Sequence, residues 1–177
     1  MEVTAMNFSR LLLLFSVCFA GCHQESTQVV SDDSIKEHMV NANKIIVQNE
    51  SKEIDDFIAR HSWKMYSTGT GLRYEIYKRG NGKKATPEKQ VSVLFHAYLL
   101  DGTLCDSTGE KPMHITLGHG EQVRGLEEGI MLMNEGDQAR LIVPAHLGFG
   151  VRGNGNNIPG NSSLYYDVTL LKVNESK

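Results

Sequence analysis

The stretch "EQVRGLEEGIMLM", residues 121–133, decides the architecture, because it repeats at helical spacing in the midst of segments that repeat at strand spacing. Val123, Leu126, Ile130 and Met133 recur at intervals of three, four and three, so they share one helical face; Arg124, Glu127 and Glu128 are expected to face away. On either side the period is two. "LRYEIYK" (72–78) sets Leu72, Tyr74 and Ile76 against Arg73 and Glu75, and "VSVLFHAYL" (91–99) alternates Val91, Val93, Phe95 and Ala97 before Asp101-Gly102, a hairpin signal. "MHITL" (113–117), "ARLIV" (139–143) and "LYYDVTLLKV" (164–173) read as further strands. About five strands and one helix, with strands next to turns rather than in βαβ alternation, imply an α+β fold: an antiparallel sheet wrapped around a single helix.

Between the last two strands, "GFGVRGNGNNIPGNS" (148–162) holds a literal G-x-G-x-x-G from Gly148 to Gly153. Such a loop binds phosphate only where a helix starts from it and supplies free N–H groups. Here glycine, asparagine and proline follow, then a strand. The segment therefore reads as a flap with something other than phosphate beneath it.

The other end of the chain reads as a targeting segment. After Met6, which stands beside Met1 as an alternative start, come one arginine, an apolar run from Leu11 and small residues up to Cys22. The apolar run is too short for a membrane span, which needs about 20 residues, and fits a secretory signal peptide over residues 1–21. Phe19-Ala20-Gly21-Cys22 resembles the bacterial lipobox, with Phe19 where Leu, Val or Ile is usual; Cys22 would then carry lipid. Cys18 goes with the signal and Cys105 is left unpaired, so no intramolecular disulfide is expected. Residues 22–34 are polar and read as a tether. Residues 35–66 read as a helical arm, one broken helix or two short ones capped at Asn49 or Ser51, with Trp63 packing at its end. Its apolar residues, Met39, Ile45, Ile46, Val47, Ile54, Phe57 and Ile58, leave two outcomes open: docking on the domain's own sheet, or a homodimer through residues 35–63. Residues 67–177 form the globular domain. A net charge of −3 gives no basic face for nucleic acid, and seven scattered histidines show no metal-ligand spacing, so neither metal nor cofactor is expected.

"DGTLCDST" (101–108), "LGHGEQVRGLEEGIMLMNEGDQARLIVP" (117–144), "LGFG" (147–150) and "NIPGNSSLYYDVTLL" (157–171) together resemble the FKBP-type peptidyl-prolyl isomerases, over about Gly71 to Val173. The arm resembles the N-terminal extensions of exported FKBP lipoproteins in Bacteroidetes-like bacteria. The resemblance implies an FKBP-like sheet around one helix, and acceleration of cis/trans rotation about X-Pro bonds in exported polypeptides. The place it implies is the bacterial cell envelope, anchored by lipid and facing the periplasm or the cell surface.

It also implies a site. Leu126 is the floor beneath the proline ring, where the family most often has tryptophan. Phe95 holds a wall position usually tyrosine, Cys105 and Met113 positions usually phenylalanine, and Tyr166 keeps an aromatic. Val123, next to Gln122, offers its backbone N–H to the substrate. Asp106 keeps the family's buried aspartate, Ile158 belongs to the flap, and Phe149 stands where a flap tyrosine donates a hydroxyl hydrogen bond. Asp106, Phe149 and Phe95 are the catalytic candidates; Cys105, Met113, Gln122, Val123, Leu126, Ile158 and Tyr166 are those for binding. On pattern alone, Leu126, Phe95 and Tyr166 are equally core residues, Cys105 a small buried hydrophobe and Asp106 a turn cap. The alternative function is a catalytically weak FKBP-fold module that binds peptide or serves as a scaffold. General chaperoning through a domain inserted in the flap is disfavoured, since only residues 151–163 separate Gly150 from Leu164.

Overall fold

The computed structural model describes residues 32–174; Cys22, the signal segment and most of the tether lie outside the described residues. Contacts divide the chain into a unit of residues 1–40 and a larger one of residues 41–177. The described part of the first is helical, with Met39 and Val40 exposed.

Helix α1 runs unbroken over Asp32–His61, where a break near Asn49 or Ser51 and a start at Ile35 were expected. The stretch holds neither glycine nor proline, so nothing interrupts its hydrogen-bond ladder, and its first residues fall within the expected tether. Seven strands follow in place of about five: β1 (Tyr66–Ser67), β2 (Arg73–Lys78), β3 (Gln90–Leu99), β4 (Leu104–Ser107), β5 (Met113–Thr116), β6 (Gln138–Val143) and β7 (Leu164–Asn174). They form one sheet in the order β1-β2-β6-β7-β3-β4, with β5 on the other end of β3, and every pairing is antiparallel. Of the two strands not anticipated, β1 is only two residues long, too short for a period to show, and the four residues of β4 have their alternation broken by a bulge. Pairing of Tyr66 with Tyr74 also places the last residue of the expected arm inside the sheet.

Helix α2 (Arg124–Met131) crosses the inner face of this sheet. Leu126 and Ile130 have no exposed surface and join Val93, Phe95, Leu141, Val143, Tyr166 and Val168 in the main core. Two glycines permit the close approach. A Cβ on Gly125 would fall on the Val143 side chain, and one on Gly129 on that of Leu141, so bare backbone lies against β6.

On the outer face, Ile142 and Tyr165 take the second half of α1. Ile54 and Phe57 are buried there, each worth roughly 1.5–3 kcal/mol of transfer free energy. Trp63 folds back with its ring centroid 5.6 Å from Phe57 and 5.1 Å from Tyr165. The Arg140 guanidinium lies 4.8 Å from the centroid of the Trp63 ring and bonds Glu75 at 3.1 Å. The arm thus docks on its own sheet through residues 54–63, while Ile45, Ile46 and Val47 stay exposed.

Candidate functional site

The site is built around the N-terminus of α2. Val123 precedes the helix with φ −59° and ψ 140°, and its carbonyl accepts from the amides of Leu126 (3.0 Å) and Glu127 (3.2 Å). Its own N–H makes no hydrogen bond among the described residues. Glu127, expected to face solvent, is 5% exposed. Its carboxylate accepts from the Gly118 amide at 2.9 Å and the Gln122 amide at 3.0 Å, which satisfies a charge that burial would otherwise penalise. Glu127 lies four residues after Val123 and three before Ile130, so its spacing marked it as inward and its charge concealed this. By holding the 118–122 loop it fixes the direction in which the Val123 N–H points.

The walls come from the sheet. Ala97 pairs with Asp106 on one side and with Tyr166 on the other, so the three side chains share the inner face with Phe95, two residues back. Phe95 and Tyr166 meet edge to face, their centroids 5.7 Å apart. Between β3 and β4 the register slips, with Ala97 opposite Asp106 but Tyr98 opposite Leu104. Cys105 is the extra residue of this bulge, which turns its side chain toward the core and leaves its carbonyl outside the ladder.

Asp106 departs from expectation: it is exposed. A buried carboxylate needs donors, and the one donor to it among the described residues is the Ser107 amide, at 2.7 Å. Phe95 has no hydroxyl, and the Tyr166 hydroxyl bonds to nothing among the described residues. Burial, then the nearby Asp106 and Cys105, holds the Tyr166 phenol well above its ordinary pKa, so it is a neutral donor at any physiological pH.

The flap, residues 144–163, contains no helix at the G-x-G-x-x-G, only single 3-10 turns over Ala145–Leu147 and Gly150–Arg152. Asn154 folds its tip: the side-chain oxygen accepts from the amides of Asn156 (3.0 Å), Asn157 (3.1 Å) and Ile158 (2.9 Å). Asn157 then donates to the free Cys105 carbonyl at 2.7 Å, pinning the tip to the bulge. Gly153, at φ 66°, has no room for a Cβ, which would strike the Ile158 carbonyl.

Phe95, Leu126, Ile158 and Tyr166 are thereby gathered in one buried cluster, with Cys105, Met113, Val123 and Phe149 half-buried against it. Gln122 lies at the rim, its amide 3.3 Å from the Met113 sulfur. The floor is closed over, Leu126 having no exposed surface. Cavities of about 320 and 260 Å³ lie elsewhere, on either side of the Leu99–Asp101 turn. Among the described residues no group of three or more His, Cys, Asp or Glu side chains is placed to hold a metal ion, and no helix is long and apolar enough to cross a membrane.

A sheet closed on a glycine-bearing helix, with an apolar cluster roofed by a pinned flap and an amide at its edge, suits a protein that takes hold of an apolar residue within a polypeptide. The chain belongs to the FKBP-type peptidyl-prolyl cis-trans isomerases, whose family model matches residues 81–171. It is 38% identical over 107 residues to an FK506-binding protein of Neisseria meningitidis serogroup B, covering 59% of this chain and 98% of that one. To the macrophage infectivity potentiator of Trypanosoma cruzi it is 32% identical over 176 residues, 95% of this chain and 85% of the other. The crystal structure of FkpA from Escherichia coli superposes with a TM-score of 0.65 at 26% identity, covering 84% of this chain and 76% of that one. The chain is accordingly a peptidyl-prolyl cis-trans isomerase.

Proposed function

We propose that isomerisation takes place in the hollow floored by Leu126, between Phe95, Tyr166, Met113 and the flap residues Phe149 and Ile158. The observation that carries this reading is the conjunction of that apolar cluster with the unpartnered Val123 N–H at its edge. Rotation about an X-Pro bond meets a barrier of about 18–20 kcal/mol, because twisting the C–N bond destroys amide resonance. The planar amide has the more polar carbonyl and is better solvated by water. A dry apolar wall therefore penalises the planar form more than the twisted one, and each ~1.4 kcal/mol of difference is tenfold in rate. The Val123 amide holds the substrate backbone C-terminal to the proline. With Leu126 covered, the ring enters by parting the half-buried rim of Phe149, Met113 and Cys105. Asp106, standing in water beside Tyr166, acts at the mouth of the hollow rather than inside it.

Phe149 carries no hydroxyl and Leu126 offers less surface than an aromatic floor, so the grip is weak and the rate enhancement modest. The substrates are proline-containing exported polypeptides, and the protein is a lipoprotein held through Cys22 in the bacterial cell envelope. The apolar residues of α1 left exposed, Ile45, Ile46 and Val47, pair with a second copy; sedimentation at a monomer's mass would remove that part. The site is tested by a protease-coupled assay on an X-Pro tetrapeptide, comparing the protein with a variant altered at Phe95 and Asp106. Catalysis in the first and its loss in the second is the expected result. Equal rates in the two place the chemistry elsewhere.

A further inference from the structure

The flap is held at its tip by Asn157 and at its root by a residue from outside the isomerase domain. Glu50, in the middle of α1, accepts two hydrogen bonds on a single carboxylate oxygen: from the Ala145 amide at 2.6 Å and from the Ser163 hydroxyl at 2.7 Å. Ala145 lies two residues past the end of β6 and Ser163 one residue before β7, whose ends Val143 and Leu164 are paired. One oxygen therefore staples both legs of the flap where they leave the sheet. Both bonds are short, as expected when the acceptor carries charge. The Ala145 amide is also one that the 3-10 turn over Ala145–Leu147 leaves unbonded, so Glu50 stands in as its cap from another element.

We infer that Glu50 is a positioning residue for isomerisation: α1 sets the flap, and through it Phe149 and Ile158, over the proline hollow. This rests on the site proposed above. Glu50 reaches none of the residues proposed to touch substrate and acts through Ala145 and Ser163 alone. Phe149 is four residues from the first anchor and Ile158 five from the second, so freedom at the root passes directly to the two side chains that roof the hollow. A displacement near 1 Å of a positioning group is enough to change a rate by ~100-fold. The docking of Ile54 and Phe57 on Ile142 gives α1 the rigidity the clamp requires. The arm is thus part of the catalytic apparatus rather than only a spacer between the domain and its anchor.

The test uses the full chain with Glu50→Ala, Glu50→Gln and Ser163→Ala. Glutamine keeps an oxygen able to accept both bonds; alanine keeps none. Glu50→Ala is expected to lower kcat/KM roughly tenfold, mainly through kcat, with Glu50→Gln within about twofold of the parent and Ser163→Ala between them. Amide exchange at residues 145–163 should quicken in Glu50→Ala while β3 amides keep their protection. A Glu50→Ala protein that folds and matches its parent in both readouts overturns the inference. So does an equal loss in Glu50→Gln, since that would mean the charge acts by another route. Should Glu50→Ala fail to fold, Ser163→Ala decides: unchanged flap exchange and rate overturn the clamp. A parent chain with no activity overturns the proposed site and with it the catalytic role of Glu50, whereas an active parent with an unaffected Glu50→Ala overturns the role of Glu50 alone.

Discussion

Replacing Gly129 by alanine sets two well-sized effects against each other inside α2. Glycine in a helix interior is less favourable than alanine by about 0.8–1.0 kcal/mol, so propensity alone predicts a gain in stability. Against this, the added Cβ would stand 3.1 Å from Leu141 Cγ and 2.8 Å from Cδ2, and closer still to Cδ1. The tip of a flexible side chain often yields to such an intrusion. Leu141 has no exposed surface, and its γ-carbon is crowded as well as both methyls, so its whole isobutyl group must swing into a filled core. Overpacking of this kind typically costs about 1–3 kcal/mol. The clash wins by roughly 1 kcal/mol, which lowers Tm by about 2–4 °C in a chain of this size. Urea unfolding should show a reduced midpoint at unchanged m. A Leu141→Ala change on its own should cost ~3–5 kcal/mol by leaving a cavity. Combined with Gly129→Ala it should cost less than the two added together, because the new methyl occupies part of the space that leucine vacates. A midpoint that rises in Gly129→Ala, or strict additivity in the double variant, would refute the reasoning that bare helix backbone on β6 sets the position of the Leu126 floor.

Two further outcomes follow from the cleft. Phe149→Tyr supplies a hydroxyl at the half-buried rim of the flap; one new hydrogen bond to the substrate, worth about 0.5–1.5 kcal/mol, should raise kcat/KM by ~2–13-fold. No change in the peptide assay would mean that this ring does not face the substrate. Burial, the first of its influences, raises the Cys105 thiol above its ordinary pKa, so the reactive thiolate forms only at higher pH than usual. Iodoacetamide should accordingly label Cys105 slowly at neutral pH, with a rate that is still climbing where an ordinary thiol has levelled off. The labelled protein should lose isomerase activity, because the adduct fills a wall of the hollow. Labelling that leaves kcat/KM intact would remove Cys105 from the site.

The parts of the fold legible in the sequence are those made by burying apolar surface on regular backbone. Val91, Val93, Phe95 and Ala97 show β3 because its inner face packs on α2 without interruption, and Val123, Leu126 and Ile130 show the helix for the same reason. β4 escaped because the bulge at Cys105 breaks the alternation within four residues. Glu127 is concealed because its charge argues for solvent while its spacing puts it on the buried face. Asp106 was legible as a residue but not in its burial, which depends on whether a donor reaches it. The polar ties that shape the site leave still less trace. Glu50 lies 95 residues from Ala145 and 113 from Ser163, and Asn157 lies 52 from Cys105. The hydrophobic effect is non-directional and rewards a whole face, so it writes a period into the chain. A hydrogen bond asks for one donor and one acceptor at the right distance, and any remote residue will serve. The apolar cluster around Leu126 is therefore legible in the sequence, while the polar ties that set the flap and the 118–122 loop appear only in three dimensions. On the proposed site, substitution of Glu50, Asn154 or Asn157 is expected to alter the rate while leaving the core packing as it is.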